Sequence, residues 1–248
     1  MQIAWVVPPI SLQPTMHREP THPLAEHPLA GLTSIPTCQF SKSNGAYLSA
    51  LMLEASLLRC QTYVKGELLD VGCGWRPYEK TYFAGASKYV GLDLQTDRSK
   101  PDLIGTALDI PAAGESFDTV VCTEVLEHVP DPLRALREMR RVIRNQGHLI
   151  LTVPMYWPRH DLPYDFYRYT YDGLLYLLKE TQWELVKLYN RGHSFAFLGQ
   201  VISQVGLFYW HPKPLTWFLN NLFLQMDLHR RHDILTMGWT VVAKPQTR

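Results

Sequence analysis

Residues 68–77 read Leu-Leu-Asp-Val-Gly-Cys-Gly-Trp-Arg-Pro and constrain the fold more than any other stretch of the chain. The apolar run that opens the stretch predicts a short buried strand with a carboxylate, Asp70, near its end. Gly72 and Gly74 predict a tight turn, and Pro77 is well placed to open a helix. A strand, a glycine turn and a helix in this order form a cradle for a small ligand, because the helix N-terminus presents free N–H groups.

This loop differs from the dinucleotide-binding fingerprint G-x-G-x-x-G, because Pro77 stands three residues after Gly74 and Arg76 holds the place of a third close glycine. Pyrophosphate needs more bare backbone, so a nicotinamide-dependent enzyme is the less favoured alternative. Asp-Val-Gly-Cys-Gly instead resembles the first motif of class I S-adenosylmethionine-dependent methyltransferases. The form Gly-Cys-Gly-x-x-Pro-Tyr is most similar to the small-molecule type 11 group, and the resemblance continues to about residue 190.

Residues 88–93 repeat the pattern of an apolar run that ends in an acid. Asp93 lies 23 residues after Asp70, which is about the span of a strand, a helix and a second strand. A carboxylate at the end of the second strand can accept two hydrogen bonds from a ribose diol. The alternative is an ordinary turn aspartate ahead of residues 95–97.

Residues 103–110 suggest a third short strand, and the resemblance implies that Asp109 and Ile110 hold the adenine, the first through its carboxylate and the second against the ring face. A turn aspartate is the alternative for Asp109. The resemblance as a whole implies a set of cofactor-binding residues, namely Asp70, Gly72, Cys73, Gly74, Asp93, Leu94, Asp109, Ile110 and Glu124.

Residues 117–122 predict another buried strand, followed by Glu-Val-Leu-Glu-His-Val at 124–129, which resembles the fourth motif of the same family almost letter for letter. Ligands of open α/β sheets lie at the carboxyl ends of the strands. Glu124 is therefore expected to border the cofactor pocket, while Glu127 and His128 could face the cofactor or the substrate. A structural hydrogen bond is the alternative role for His128.

The segment 154–171 follows a predicted core strand and is rich in tyrosine. Its pattern His-x-x-Pro-x-Asp-x-x-Arg-Tyr-Thr resembles a signature of the type 11 group. Methyl transfer from a sulfonium mainly requires that the acceptor is held within reach and water is excluded. A hydroxyl or amine acceptor also benefits from a base, for which His160 is the first candidate and Asp165 the second. Alternatively, Asp165 pairs with Arg168 and pins the loop.

The chain of 248 residues is long enough for one substantial core, and its net charge of +1 gives no argument for a nucleic-acid partner. The four cysteines show no C-x-x-C spacing, which favours a reducing compartment. The N-terminus lacks the features of a secretory signal, and no apolar run reaches the ~18 residues of a spanning helix. These observations predict a cytoplasmic or membrane-surface protein. No metal is required by the pattern, and the regularly spaced His17, His22 and His27 lack partners to complete a site.

Seven of the eighteen prolines fall within residues 1–43, which predicts an extended or disordered N-terminal arm. Residues 44–248 are expected to form one doubly wound, mostly parallel α/β domain. An apolar insert at 191–235 carries two helical candidates, and it could be a lid, a dimer contact or, through residues 195–232, a peripheral membrane contact.

The sequence therefore predicts S-adenosylmethionine-dependent methyl transfer to an oxygen or nitrogen of a small-molecule or lipid-linked acceptor. A non-catalytic domain that retains the cofactor pocket is the alternative from another functional class. The identity of the acceptor and the oligomeric state stay open.

Overall fold

The computed structural model describes residues 25–94, 100–209, 212–229 and 235–246. Its centre is a seven-stranded sheet with the strand order β3-β2-β1-β4-β5-β7-β6. The strands are β1 (Glu67–Val71), β2 (Lys88–Asp93), β3 (Leu103–Ile104), β4 (Phe117–Thr123), β5 (Ile143–Pro154), β6 (Trp183–Asn190) and β7 (Gly238–Pro245).

Strands β1 to β5 pair in parallel, whereas β7 pairs antiparallel with both β5 and β6. The predicted doubly wound, mostly parallel sheet is confirmed. Because β7 inserts between β5 and β6, the edge of the sheet is formed by β6. The carboxyl ends of β1, β2, β4 and β5 share one side of the sheet, where parallel α/β proteins bind their ligands.

The helices cover both faces of the sheet. They are α1 (Tyr47–Cys60), α2 (Pro132–Val142), α3 (Tyr171–Glu180), α4 (Ser194–Tyr209) and α5 (Lys213–His229). Helices α2 and α3 pack with Val120 and Cys122 of β4, while α1 packs with Val121 of the same strand. This alternation follows from the two-residue period of a strand, which sends successive side chains to opposite faces.

Helix α2 begins with two features typical of a helix N-terminus. Asp131 caps it by accepting the backbone N–H of Arg134 at 3.0 Å, and Pro132 occupies the first helical position. Both features satisfy the geometry of a helix N-terminus, because a proline there loses no hydrogen bond.

The helix expected after the glycine loop does not form. Residues 74–85 are a succession of turns, in which Arg76 adopts a left-handed backbone with φ of 56°. The N–H groups of Tyr82 and Phe83 both bind the carbonyl of Tyr78, so a single helical turn closes and does not propagate. The ligand cradle at β1 is therefore built from turns, without a helix N-terminus.

The third strand is also shorter than the predicted 103–110. Pairing with β2 ends at Ile104, and the chain then turns back on itself through an isolated bridge between Thr106 and Asp109. At Gly105 an added Cβ would lie 2.7 Å from Pro111, so the backbone approaches closely where the strand ends. An aspartate turn thus replaces the second half of the predicted strand.

Residues 25–43, which the sequence assigns to an extended arm, pack against the domain. Glu26 bridges to Tyr189 at the sheet edge, and Leu29 is buried among side chains of α1, α4 and α5. His27 is also buried, with Nε2 3.1 Å from the Asp227 carboxylate. The tail interpretation is therefore wrong for His27 and its neighbours, because apolar burial and a charge-assisted hydrogen bond hold them in place. Residues 1–24, with His17 and His22, lie outside the described residues.

The apolar insert folds as two helices that pack on α1. Phe223 and Leu224 of α5 join Leu48 and Leu51 of α1 in one buried cluster. Some apolar side chains of the insert nevertheless face outward, namely Leu198, Val205, Leu215, Trp217, Phe218, Leu222 and Leu235. Within the described part of the chain, no helix has both the length and the apolar character to cross a membrane. Residues 210–211 and 230–234 of the insert lie outside the described residues.

Candidate functional site

The glycine loop at the end of β1 forms the predicted tight turn. Gly72 and Gly74 have φ angles of 74° and 48°, in the region that glycine adopts without steric cost. The N–H groups of Gly72 and Cys73 both donate to the carbonyl of Leu92, at 2.8 and 3.0 Å. The loop is therefore held against the end of β2.

Asp93 completes this cradle from the end of β2. Its Oδ2 accepts the N–H of Gly74 at 2.9 Å, so the acid predicted to bind a ribose lies directly beside the loop. A Cβ added to Gly74 would meet no atom within 4 Å, which means that the loop borders open space there. A bare backbone next to a fixed carboxylate is the arrangement that an adenosine-containing cofactor with a ribose diol requires.

Asp70 lies beneath the loop and is fully buried. Its carboxylate accepts the hydroxyl hydrogen of Tyr89, which ties β1 to β2. Burial is the main cause that raises the pKa of Asp70 to about 7, although Tyr89 and the Arg76 guanidinium oppose the shift. A cationic group placed above Asp70 would favour the ionised form and lower that pKa.

We expect this burial to make the free energy of unfolding depend on pH. In the unfolded chain Asp70 ionises near its ordinary pKa of 3.8, whereas in the folded protein it holds its proton up to about pH 7. Stability therefore falls as pH rises between these two values. The change Asp70→Asn keeps an acceptor for Tyr89 and should raise stability at pH 8 but not at pH 4. Urea unfolding of both proteins at the two pH values measures this, and an equal effect at both would contradict it.

The other residues predicted to contact the cofactor differ in how exposed they are. Leu94 directly follows Asp93 and is 69% exposed, so it is free to cover a bound ring. Asp109 is exposed in the turn that replaces the end of the predicted strand, and its role stays a prediction. Ile110 is 2% exposed within the main core and its N–H donates to Glu138, so its contact with an adenine ring stays a prediction. Cys73 is buried, and burial raises the pKa of its thiol to about 11.

A cavity of about 260 Å³ lies beside the cradle. Its walls come from the N-terminal segment, from α1, from the residues after β4 and β5, and from the residue after β6. The lining residues are Gln39, Phe40, Ala46, Ser49, Ala50, Leu53, Glu124, Glu127, Pro154, Tyr156, Trp157, His160 and Arg191. The wall is therefore mostly apolar and aromatic, with a few charged side chains, which is typical of a small-molecule site.

Glu124 links the cavity to the cradle. It has a left-handed backbone with φ of 52°, and Val125 after it would lie 2.5 Å from a Cβ on Gly72. Its carboxylate accepts the Thr152 hydroxyl and pairs with the buried Arg191, both at 2.9 Å. Strained backbone of this kind persists only where surrounding contacts fix it, and it clusters at functional sites.

Arg191 is in turn fixed by the sheet. Its Nη2 donates to the carbonyl of Val153, and its guanidinium packs against the backbone of Gly238. An alanine Cβ at 238 would lie 2.1 Å from Arg191 and 2.4 Å from the Val153 carbonyl. We expect Gly238→Ala to cost about 2–3 kcal/mol of stability through overpacking.

Urea unfolding of Gly238→Ala checks this prediction. The matched control is Gly114→Ala, where the added Cβ would make only an ordinary contact of 3.4 Å. Equal stability of the two variants would show that Arg191 is not held as described.

The 154–171 loop places His160 in the cavity wall and against the ring of His128, which follows β4. The ring centroids of His128 and His160 are 4.6 Å apart, and Glu127 lies beside them with its side chain buried. Asp165 is bound through both carboxylate oxygens by Arg168, at 2.6 and 3.0 Å. This pairing lowers the pKa of Asp165 to about 2, so the carboxylate is a weak base. The geometry therefore favours the loop-pinning role for Asp165, and His160 keeps the place predicted for a base.

A seven-stranded sheet of this order, with a glycine loop after its first strand and an acid after its second, is the Rossmann-like fold of methyltransferases. Residues 69–151 match the type 11 family model described as a methyltransferase domain. The matched residues are similar to the class I S-adenosylmethionine-dependent methyltransferases, whose cofactor is S-adenosylmethionine.

Three known proteins illustrate the similarity. A ubiquinone biosynthesis O-methyltransferase from Yersinia enterocolitica is 30% identical over 119 residues, which cover 42% of this chain and 49% of that protein. The cyclase SpnF has a TM-score of 0.55 at 18% identity, covering 88% of this chain and 89% of its own. A Burkholderia thailandensis 1,6-didemethyltoxoflavin-N1-methyltransferase, solved with its substrate and S-adenosylhomocysteine, has a TM-score of 0.50 at 14% identity, covering 81% and 79%. The chain spans about half the length of the curated relatives it matches.

Several residues of the site were not among those predicted from the sequence. Arg191 and the segment with Gln39 and Phe40 lie far from the family motifs along the chain, and only folding brings them to the cavity. Glu54 of α1 is buried and accepts the N–H of Gln39 at 3.2 Å and the Tyr82 hydroxyl at 2.9 Å. An acid in the middle of an otherwise apolar helix face was the one signal that could have identified it.

Proposed function

We propose that this protein transfers a methyl group from S-adenosylmethionine to a hydroxyl oxygen of a small-molecule or lipid-linked acceptor. The observation that carries the proposal is the cavity at the carboxyl ends of β4 and β5. It adjoins the glycine loop through Glu124 and Val125, so an acceptor in the cavity lies next to a cofactor in the cradle. The relative from Yersinia enterocolitica, an O-methyltransferase by name, supports oxygen as the acceptor atom.

S-adenosylmethionine supplies, when bound, a methyl group carried on a positively charged sulfur. The residues of this chain bind and orient it: Asp93 accepts from the ribose, the glycine loop lets the cofactor approach, and Asp70 balances its cationic end. The aromatic wall with Tyr156 and Trp157 excludes water from the acceptor. Alignment and exclusion of water supply most of what an in-line displacement needs.

The acceptor must also lose its hydroxyl proton. Glu127, His128 and His160 are the titratable side chains that we propose for this step, and His160 and Glu127 both line the cavity. Asp165 takes no proton in this scheme. It positions the loop through Arg168 and accepts the N–H of His160 at 3.2 Å.

Calorimetric titration with S-adenosylmethionine tests the cofactor, with NAD as the control. We expect micromolar binding of the first and none of the second. A transfer assay then uses methyl-labelled S-adenosylmethionine with 4-nonylcatechol and with 4-nonylaniline. Methylation of the catechol supports the proposal, methylation of the aniline alone assigns a nitrogen acceptor, and binding without transfer to either favours a non-catalytic cofactor-binding domain.

The lipid-linked form of the proposal is supported by the outward apolar side chains of α5. Trp217 and Phe218 are each about half exposed near the start of that helix. Flotation with phosphatidylcholine and phosphatidylglycerol vesicles tests this part. We expect the protein to float with the vesicles and the double variant Trp217→Ser, Phe218→Ser to float less. If all the wild-type protein stays in the soluble fraction, the acceptor is a small molecule without a membrane anchor.

A further inference from the structure

We propose that Glu127, His128 and His160 bind a divalent first-row transition-metal ion, with zinc as the best-fitting example. One nitrogen of each imidazole and a carboxylate oxygen of Glu127 all lie within 4.8 Å of one another. Two nitrogens and one carboxylate oxygen form the donor set of many catalytic zinc and iron sites, in which a further position stays open for substrate.

The backbone fixes both histidines in the tautomer that a metal requires. Nδ1 of His128 lies 2.8 Å from the carbonyl of Tyr164, and Nδ1 of His160 lies 3.2 Å from the carbonyl of Pro158. A carbonyl can only accept, so each Nδ1 carries the proton and each Nε2 keeps its lone pair. Metal-binding histidines are oriented by the same kind of hydrogen bond from the second ring nitrogen.

The separations within the cluster suit a shared ion better than direct hydrogen bonds. Nε2 of His128 is 3.8 Å from Oε1 of Glu127 and 4.0 Å from Oδ2 of Asp161. These distances exceed a hydrogen bond. Two donors bonded to one tetrahedral zinc ion at about 2.0–2.1 Å lie about 3.4 Å apart, so the ligands would draw together by several tenths of an ångström or more on binding. Asp161 is exposed and can supply an outer ligand.

Glu127 provides an independent observation. Its side chain is 1% exposed, and Oε2 has no hydrogen-bond partner among the described residues. A buried carboxylate without compensation is costly. A bound cation at the end of the cavity would compensate this carboxylate.

The other group of side chains that could hold a metal ion, formed by His27, His193 and Asp227, does not have these properties. Nδ1 of His27 accepts the N–H of Leu29 at 3.2 Å, so Nε2 carries the proton that it donates to Asp227. The Asp227 carboxylate also accepts the N–H groups of His193 and Ala196. Both oxygens of the Asp227 carboxylate are therefore taken up by donors of the protein itself, and the cluster serves as the internal control.

The role of the ion rests on the proposed function. An acceptor hydroxyl bound at the open position would lose its proton to solvent more readily, because the metal lowers its pKa. The resulting oxygen lone pair then forms the new C–O bond, while the C–S bond of the cofactor breaks with its electron pair moving to sulfur. His160 acts in this scheme as a ligand of the ion rather than as the base itself.

The experiment titrates the full-length, chelator-treated protein with Zn²⁺ alone by calorimetry and with Co²⁺ alone by visible absorption. We expect one equivalent of zinc at micromolar affinity or tighter and cobalt bands of a nitrogen- and oxygen-ligated site. Glu127→Gln and His128→Ala should each weaken zinc binding by about 100-fold or more, beyond the loss typical of a second-shell change. Asp227→Asn and His229→Ala should leave it unchanged, and circular dichroism checks that each variant folds.

Absence of zinc binding by the wild-type protein would overturn the inference, and so would a loss of binding confined to Asp227→Asn. In either case methyl transfer by the metal-free protein would leave the proposed function intact, with His160 as the base. Conversely, zinc binding without S-adenosylmethionine binding would support the metal site and contradict the proposed function. The two conclusions therefore fail separately.

Discussion

The change Asp93→Ala should weaken S-adenosylmethionine binding by about 100-fold or more. The carboxylate holds the glycine loop through the N–H of Gly74, and we propose that it also accepts both ribose hydroxyls. Hydrogen bonds to a charged group are worth about 1.5–3 kcal/mol each, so losing two of them exceeds a factor of 100 in affinity. Calorimetry on the folded variant measures the effect.

Two companion variants separate ribose binding from support of the loop. Asp93→Asn keeps one acceptor oxygen and should give an intermediate loss. Asp102→Ala removes a carboxylate that accepts the N–H of Gly91 and pairs with Arg76, so it loosens the end of the loop without a proposed ribose contact. We expect it to cost less than about 10-fold in affinity. If Asp102→Ala weakened binding as much as Asp93→Ala, the ribose assignment would be wrong.

The second large effect is expected at Gly72. An alanine there must adopt a left-handed backbone and place its Cβ 2.5 Å from the Val125 side chain. The two costs together predict a loss of about 2–4 kcal/mol in the free energy of unfolding. A shift of Val125 would also shift the adjacent Glu124, which is expected to border the cofactor pocket. We therefore also expect cofactor binding to become undetectable.

Gly74→Ala is the matched control for this prediction. Its backbone is also left-handed, but the added Cβ would meet nothing within 4 Å. Stability should fall by only about 1–2 kcal/mol. Affinity for S-adenosylmethionine should fall more than stability does, because the Cβ enters the space proposed for the cofactor. Unfolding curves and calorimetry on both variants test the pair, and equal stability losses would argue against the contact with Val125.

The sheet could be predicted from the sequence because its strands are signalled locally. Short apolar runs that end in Asp70 or Asp93 need no long-range information. These elements formed at or within a few residues of their predicted places.

The predictions failed where contacts in the folded chain overrode a signal from the local sequence. Pro77 suits a first helical turn, but Arg76 before it has a left-handed backbone. The short stretch from Pro77 to Gly85 then forms turns between β1 and β2. Proline-rich composition likewise concealed the packing of Leu29, since burial depends on partners distant in the sequence.

The candidate site likewise has one part that could be predicted from the sequence and one part that could not. Motif spacing was sufficient to locate the cradle, whose residues lie close together in the chain. The cavity could not be predicted as a unit, because Phe40, Glu127 and Arg191 come from three separate regions. Asp165 and Arg168 illustrate an intermediate case: the pattern allowed a base or an ion pair, and the geometry of the folded chain favours the ion pair.

The match to the family model, residues 69–151, has a consequence for how such a protein can diversify. This continuous block carries the cofactor cradle and part of the cavity wall, whereas the remaining walls come from segments on either side of it. Under the proposed function, exchange of residues 25–54 together with those after 154 is expected to change the substrate range and to leave the methyl-donor module unchanged.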